Sequence, residues 1–221
     1  MPTPLTGVLL DIDGTLVDSN DANARAWMQA LVAHGFEINY IKLREAIGMG
    51  GDNLLPRIVH IEGDSPEGKA VSEMRGEIMK SQYMPHLQAF PQVKALLTRM
   101  HAQGLKLVVA TSAKPDEADI LLQTTGASDL IDVIATTEDA ESSKPAPDII
   151  QAALKKSGLA PESVVMLGDT PYDVEAAGKA NVRILGVRCG GWAAPDLQGA
   201  EAVYDDPADL LVRYGDSILA Q

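Results

Sequence analysis

Cysteine is almost absent from this chain, with Cys189 alone among 221 residues. An internal disulfide is thereby excluded, and a thiolate metal cluster has no partners; this usage suits a reducing cytoplasm and leaves Cys189 as a small packed residue. Basic residues are also few, 18 Lys and Arg against 31 Asp and Glu, for a formal net charge of -13. Such a chain repels the phosphate backbone of nucleic acid and the face of an anionic membrane, so neither is an expected partner. Any anionic ligand must be small and locally neutralised. No apolar run approaches the roughly 18 residues of a membrane span, and the start Met1-Pro2-Thr3-Pro4 lacks the charged and apolar regions of a signal peptide. The expectation is a soluble cytoplasmic protein. What is present, 46% hydrophobic residues over this length, suffices for one good core or a core with a small second domain.

The organising stretch lies near the start, where Val8-Leu9-Leu10 runs into Asp11-Ile12-Asp13-Gly14-Thr15. A short apolar run bounded by turn residues fits a strand buried on both faces. The acids then stand at its C-terminal end, which in an open parallel sheet faces the ligand crevice. An Asp-Gly hairpin turn is the competing reading, but no second strand follows.

Residues 19–87 carry helix signals and almost no strand signals. Ala24, Trp27, Met28, Leu31 and Val32 repeat at helical spacing before Gly35. Asp52 is placed to cap a second helix bearing Leu54, Leu55, Ile58 and Val59, with Pro56 in its first turn. Ser65-Pro66 opens a third with Val71, Met74 and Ile78. From Pro91 the pattern alternates: helix around Val93, Leu96, Leu97 and Met100, strand 105–110, helix 115–125, strand 132–136, helix 146–157, strand 163–167, helix 171–180, strand 182–187, short strand 202–204 and helix 207–219. This alternation predicts an α/β protein, a Rossmann-like doubly wound parallel sheet with an inserted α-helical cap domain. The expected division is a core of residues 1–17 and 89–221 and a cap of residues 18–88, a natural lid over the catalytic end of the sheet.

Polar residues recur at the strand ends. Thr111 and Ser112 follow one strand, Lys144 stands before Pro145 after another, and Gly168-Asp169 follows a third with Asp173 four residues on. Each has a plainer reading taken alone: Thr111 and Ser112 as caps of the next helix, Lys144 as a solvated charge, and Thr170 with Asp173 as a capping box. A carboxylate directly after a buried strand, as at Asp169, needs a partner. Together these residues supply what phosphoryl transfer requires. Carboxylates facing a phosphate dianion repel it by about 4 kcal/mol per unit pair at ~4 Å and an effective dielectric of ~20. Cations are obligatory: Mg²⁺ on oxygen ligands of Asp11 and Asp169, and Lys144 for the remaining charge. Thr111 with nearby backbone N–H groups then holds the equatorial oxygens.

On Asp11-Ile12-Asp13-Gly14-Thr15, Thr111, Lys144 before proline, and Gly168-Asp169 with Asp173, the chain resembles the haloacid dehalogenase superfamily, in its branch of Mg²⁺-dependent phosphatases with a small helical cap. The resemblance implies a phosphate monoester hydrolase acting on a small phosphorylated metabolite. Asp11 would be the nucleophile that forms an aspartyl phosphate, and Asp13 the acid and then the base. It further implies a metal held by Asp11, the Asp13 carbonyl and Asp169, with Asp173 outside the direct ligands, and a transferring group bound by Thr111, Ser112 and Lys144. Sugar-phosphate mutases share these motifs, and a metabolite-sensing protein without turnover shares the fold. Asn23 stands where many capped relatives, mutases among them, carry histidine.

Specificity is expected in the cap. In Ile47-Gly48-Met49-Gly50-Gly51-Asp52-Asn53 the glycines Gly48, Gly50 and Gly51 permit close backbone approach, the following helix start favours an anion, and Arg44 and Arg57 flank the loop. A tight interhelical loop with surface arginines is the competing reading. The sequence is compatible with a monomer or a homodimer, and the loop from Cys189 to Pro195 reads either as a site entrance or as a linker.

Overall fold

A computed structural model describes residues 4–220. Met1, Pro2 and Thr3, read above for targeting features, and the terminal Gln221 lie outside the described residues. Among the described residues six strands form one parallel sheet: β1 (Gly7–Leu10), β2 (Lys106–Ala110), β3 (Val133–Ala135), β4 (Val164–Gly168), β5 (Arg183–Val187) and β6 (Ala202–Tyr204), in the order β3-β2-β1-β4-β5-β6. β1 is central, with Leu9 opposite Val108 of β2 and Met166 of β4. The strand order reverses there, which opens the ligand crevice of doubly wound sheets beyond the carboxyl end of β1.

Alternation along the strands builds two cores. Val8, Leu10, Leu107, Val109, Val165 and Leu167 pack on one face with α5 (Val93–Ala102), α6 (Pro115–Thr124) and α9 (Pro207–Val212). Leu9, Val108, Val164 and Met166 pack on the other with α7 (Asp148–Ser157) and α8 (Pro171–Lys179). Both faces are covered, so the strands read as continuous apolar runs.

Between β1 and β2 lie α1 (Asn20–Ala33), α2 (Tyr40–Glu45), α3 (Gly51–Val59) and α4 (Pro66–Ile78). They share a third apolar cluster of Trp27, Leu31, Leu43, Leu54, Leu55 and Val71. Ser65 caps α4 by accepting from the Gly68 N–H at 3.0 Å. Several details depart from the sequence reading. Val32 is 52% exposed rather than buried, because Ala26 and Ala30 complete the inner face of α1. α2 was not anticipated, since six residues are too few to show a period. Gly50, not Asp52, is the N-cap of α3, because the Asp52 carboxylate turns away to accept from the Ser143 N–H at 2.9 Å. Pro56 therefore falls inside the helix. The last helix stops at Val212 and gives way to 3₁₀ turns at Tyr214–Asp216 and Ile218–Ala220, where the Ser217 hydroxyl donates to the Tyr214 carbonyl at 2.6 Å. No helix among the described residues is long and apolar enough to cross a membrane.

Candidate active site

The chain leaves β1 with the Asp11 N–H still donating to Leu167 O at 3.0 Å, then turns through Ile12 to Val17, whose N–H and that of Leu16 both return to Ile12 O. Gly14 has φ +79°, and a Cβ there would overlap Asn20 and Asp169, so the turn requires glycine in both backbone and volume. This turn lays Asp11 beside the ends of β2 and β4.

Lys144 is the centre of the charge arrangement. It is 1% exposed, so the reading of a solvated charge fails. Its ammonium donates to Asp11 Oδ1 at 2.5 Å and lies 2.7 Å from Asp173 Oδ1. Burial alone would lower the lysine pKa, but Asp11 and Asp173 outweigh it and hold it above the ordinary range. Asp173 performs two tasks: Oδ2 accepts from the Thr170 N–H and hydroxyl at 3.0 and 2.7 Å, closing the capping box of α8, while Oδ1 faces Lys144. Asp169 accepts from Thr15 Oγ1 at 3.0 Å and Asn20 Nδ2 at 2.9 Å. The Thr15 hydroxyl also lies 3.2 Å from Asp11 Oδ2.

The carboxylates of Asp11, Asp169 and Asp173 each bring an oxygen to within 4.8 Å of the others, all buried. Burial is the first cause that pushes the Asp11 carboxyl up to about 7, with Asp173 and Asp13 adding to it and Lys144 opposing it. Burial, then Asp173 and Asp11, raise Asp169 well above the carboxylate range. Once ionised, three acids exceed the charge of one ammonium, and Asp173 Oδ1 accepts no hydrogen bond of good geometry. Hard oxygen donors with that deficit fit a hard divalent cation. The carboxylate of Asp13 is not in this group. It lines the cavity of the site, accepting from Ser19 Oγ at 2.5 Å, and its pKa is raised, chiefly by burial.

Thr111 and Ser112 do not cap α6, whose N-cap is Lys114. Thr111 Oγ1 accepts from the Ala113 N–H at 3.1 Å, and Ser112 Oγ is buried without a partner. Both line a cavity of about 40 Å³ with Asp11, Asp13, Gly48, Gly50 and Gly51. The glycines are spacers as well as liners: a Cβ at Gly50 would overlap the Ser143 side chain, and one at Gly48 would approach Thr170 Cγ2 to 2.7 Å. Asn53 Nδ2 donates to Ser143 O at 2.9 Å, so the first turn of α3 is latched to the segment that carries Lys144. Arg57 stays at the rim, 6.0 Å from the centroid of the Tyr172 ring, and Arg44 pairs with Asp21 at 2.6 Å and donates to Gly190 O at 2.7 Å. The loop after β5 reads as a site wall: a Cβ on Gly190 would collide with Asp169, and Trp192 packs edge-on against Tyr172 at 6.2 Å.

Sequence reasoning missed the arginine that does face the cavity. Arg75 of α4 pairs with Glu117 of α6 at 2.7 Å, lies 5.2 Å from the Trp27 ring centroid, and shares the cavity wall with Glu117 and Asn23. The signal was present, because Arg75 continues the apolar row of Val71 and Ile78, and Glu117 precedes Leu121 by one helical turn.

Residues 8–187 match the family described as haloacid dehalogenase-like hydrolase. A phosphoglycolate phosphatase of Yersinia pestis is 34% identical over 191 residues, covering 84% of this chain and 82% of that protein. A validoxylamine A 7'-phosphate phosphatase of Streptomyces hygroscopicus is 29% identical over 182 residues, covering 81% and 84%. Among solved structures, a hydrolase from Pseudomonas syringae superposes with a TM-score of 0.88 at 31% identity, covering 96% of this chain and 98% of that one.

Proposed function

The chain belongs to the haloacid dehalogenase-like hydrolase family, and we propose that it is a Mg²⁺-dependent phosphatase that hydrolyses a small phosphate monoester through an aspartyl phosphate on Asp11. The observation that carries this reading is the buried Lys144, held between Asp11 and Asp173 with Asp169 alongside. An ammonium so placed orients one oxygen of Asp11 and offers charge to the transferring group. Residues 1–17 and 89–221 form the core in this reading, and residues 18–88 form the cap that closes over it.

Asp11 and Asp169 would supply the carboxylate oxygens for the cation, joined by the Asp13 carbonyl that the family resemblance assigns, with the Asp173 carboxylate adjoining them. When bound, the cation neutralises these acids and polarises the phosphoryl oxygens. The remaining steps belong to side chains. Asp11 attacks phosphorus in line, the bond to the ester oxygen breaks, and Asp13 gives that oxygen its proton. Asp13, now a base, takes a proton from water as the water attacks phosphorus, which frees Asp11 and leaves inorganic phosphate. The raised pKa of Asp13 supports its service as an acid near neutrality. Thr111, Ser112 and Lys144 hold the equatorial oxygens as charge spreads over them. The cavity is narrow and lined from both the cap segment and the core, and in this reading the cap withdraws to admit substrate and closes again to exclude bulk water.

The named activities of the relatives differ, so membership alone does not set the substrate. Purified protein with Mg²⁺ is expected to release phosphate from at least one member of a panel of phosphoglycolate, sugar phosphates, pyrophosphate and an aryl phosphate, and to stop when EDTA is added. Release that persists in EDTA would remove the metal from the account. No release from any member by folded, Mg²⁺-binding protein would turn the reading toward a mutase or a metabolite sensor.

A further inference from the structure

One wall of the cavity holds polar atoms of which the mechanism above uses only the Ser112 hydroxyl. Asn23 Oδ1, Arg75 Nε, Ser112 Oγ and Glu117 Oε1 are buried and lack a hydrogen-bond partner, and all four residues line the same cavity. Buried polar groups are nearly always satisfied, so four orphans around one space mark a place for a ligand. Arg75 and Glu117 are only 9% and 3% exposed, and each uses one atom on the other, Nη1 on Oε2, while keeping a second atom free. Arg75 comes from α4 and Glu117 from α6, so the pair is completed across the space that substrate must enter.

The chemistry of the orphans selects the ligand. Glu117 Oε1 and Asn23 Oδ1 accept and require donors, Arg75 Nε donates, and the Ser112 hydroxyl does either. The pair is neutral as a unit, and the adjoining acids Asp11 and Asp13 make the cavity unfavourable for a further anion. A carboxylate brings no donor and sets its charge against Glu117. An aryl or alkyl group leaves the Asn23, Arg75 and Glu117 atoms unsatisfied. An alcohol donates to Glu117 or Asn23 and accepts from Arg75 in the same contact, with its carbon skeleton against the Trp27 ring. We propose that Arg75, Glu117 and Asn23 form a leaving-group pocket, bordered by the Ser112 that holds the transferring group, and that it selects an uncharged, hydroxyl-bearing organic moiety, as in a polyol or sugar phosphate, over a carboxylate-bearing ester of the same size. The assignment rests on the phosphatase reading and names its substrate class.

The test uses glycerol 3-phosphate and 3-phosphoglycerate, which match in size and differ by one hydroxymethyl group in place of a carboxylate. The wild-type protein with Mg²⁺ is expected to favour glycerol 3-phosphate in kcat/KM by roughly tenfold or more, as a site built for a hydroxyl does. In Glu117→Gln the repelling charge is gone and Arg75 is released, so the ratio shifts toward 3-phosphoglycerate by roughly tenfold. The double variant Arg75→Met with Glu117→Met keeps the space filled without an unpaired charge, and its ratio falls toward unity. Each ratio is taken within one protein, so a general loss of activity cancels. A wild-type preference for 3-phosphoglycerate, or a ratio that neither variant moves, would overturn the pocket while leaving the phosphatase reading intact. Absence of release from both esters and from an aryl phosphate would take down the phosphatase reading and the pocket with it.

Discussion

Lys144→Met abolishes phosphate release and lowers the thermal midpoint of the metal-free protein by roughly 10 °C, taking about 2–4 °C per kcal/mol for a chain of this size. The side chain is fully buried and is the cation facing Asp11 and Asp173, with Asp169 adjoining. Breaking a buried pair by removing one partner costs about 3–5 kcal/mol, because the other charge is left without compensation. Methionine fills nearly the same volume, so the loss reports charge rather than a cavity. Turnover falls by about 10³-fold or more, since the variant loses both the orientation of Asp11 and a donor to the transferring oxygens. Added Mg²⁺ restores part of the midpoint by supplying charge, but it does not restore turnover. Calorimetry and a phosphate-release assay on one preparation check both halves. An unchanged midpoint would mean that Lys144 stabilises nothing, and turnover within tenfold of wild type would remove it from the chemistry.

Metal-free protein becomes more stable as the pH falls from about 7 toward about 4, the reverse of a protein rich in well-paired carboxylates. Burial, followed by repulsion from Asp173, raises Asp11 to about 7 against the pull of Lys144, and burial likewise raises Asp169 and Asp13. In this window the folded state keeps protons that the unfolded chain has released, so each step up in pH favours unfolding. Asp116, Asp139 and Asp209 are shifted the opposite way, led by the Lys80 hydrogen bond at Asp116 and, against some burial, by a backbone N–H at Asp139 and by Arg213 at Asp209. These pairs are exposed or nearly so and contribute little. At about 1.4 kcal/mol per pKa unit, the buried set amounts to a few kcal/mol. Mg²⁺ prefers the ionised acids, so it raises the midpoint far more at pH 8 than at pH 5. Thermal midpoints at those two values, in EDTA and in Mg²⁺, check the sign. A midpoint that climbs with pH in EDTA, or ignores Mg²⁺ at pH 8, contradicts this description of the cluster.

What could be read from the sequence follows the range of the interactions. The strands were legible because each is a short apolar run bounded by turn residues, and the parallel sheet followed from their alternation with helices. Asp11, Thr111 and Asp169 were legible for the same reason, since each directly follows a strand and strand ends converge, while Lys144 lies further along the connection after β3. Asp173 reads as half of a capping box, and the structure shows that box at Oδ2 while Oδ1 faces Lys144, a contact no local pattern announces. Asp52 looked like a cap because local rules see only its neighbours, whereas its carboxylate is engaged by the backbone of Ser143. The pairing of Arg75 with Glu117 joins residues 42 positions apart on two helices, and no local rule links them. A charged residue in each apolar stripe announced the need for a partner but not which one.

Asp11 as the nucleophile is the central claim, and the most direct measurement is the mass of its peptide after acid quench of the Asp13→Asn protein turning over an aryl phosphate with Mg²⁺. An aryl leaving group departs without a proton from residue 13, so Asp11 is still phosphorylated, while the missing base stalls hydrolysis of the acyl phosphate. The expected result is one added phosphoryl group on Asp11, absent in EDTA and absent when Asp11 is also asparagine. Continued phosphate release with Asp11 unmodified, or with Asp11→Asn still turning over, would contradict the account.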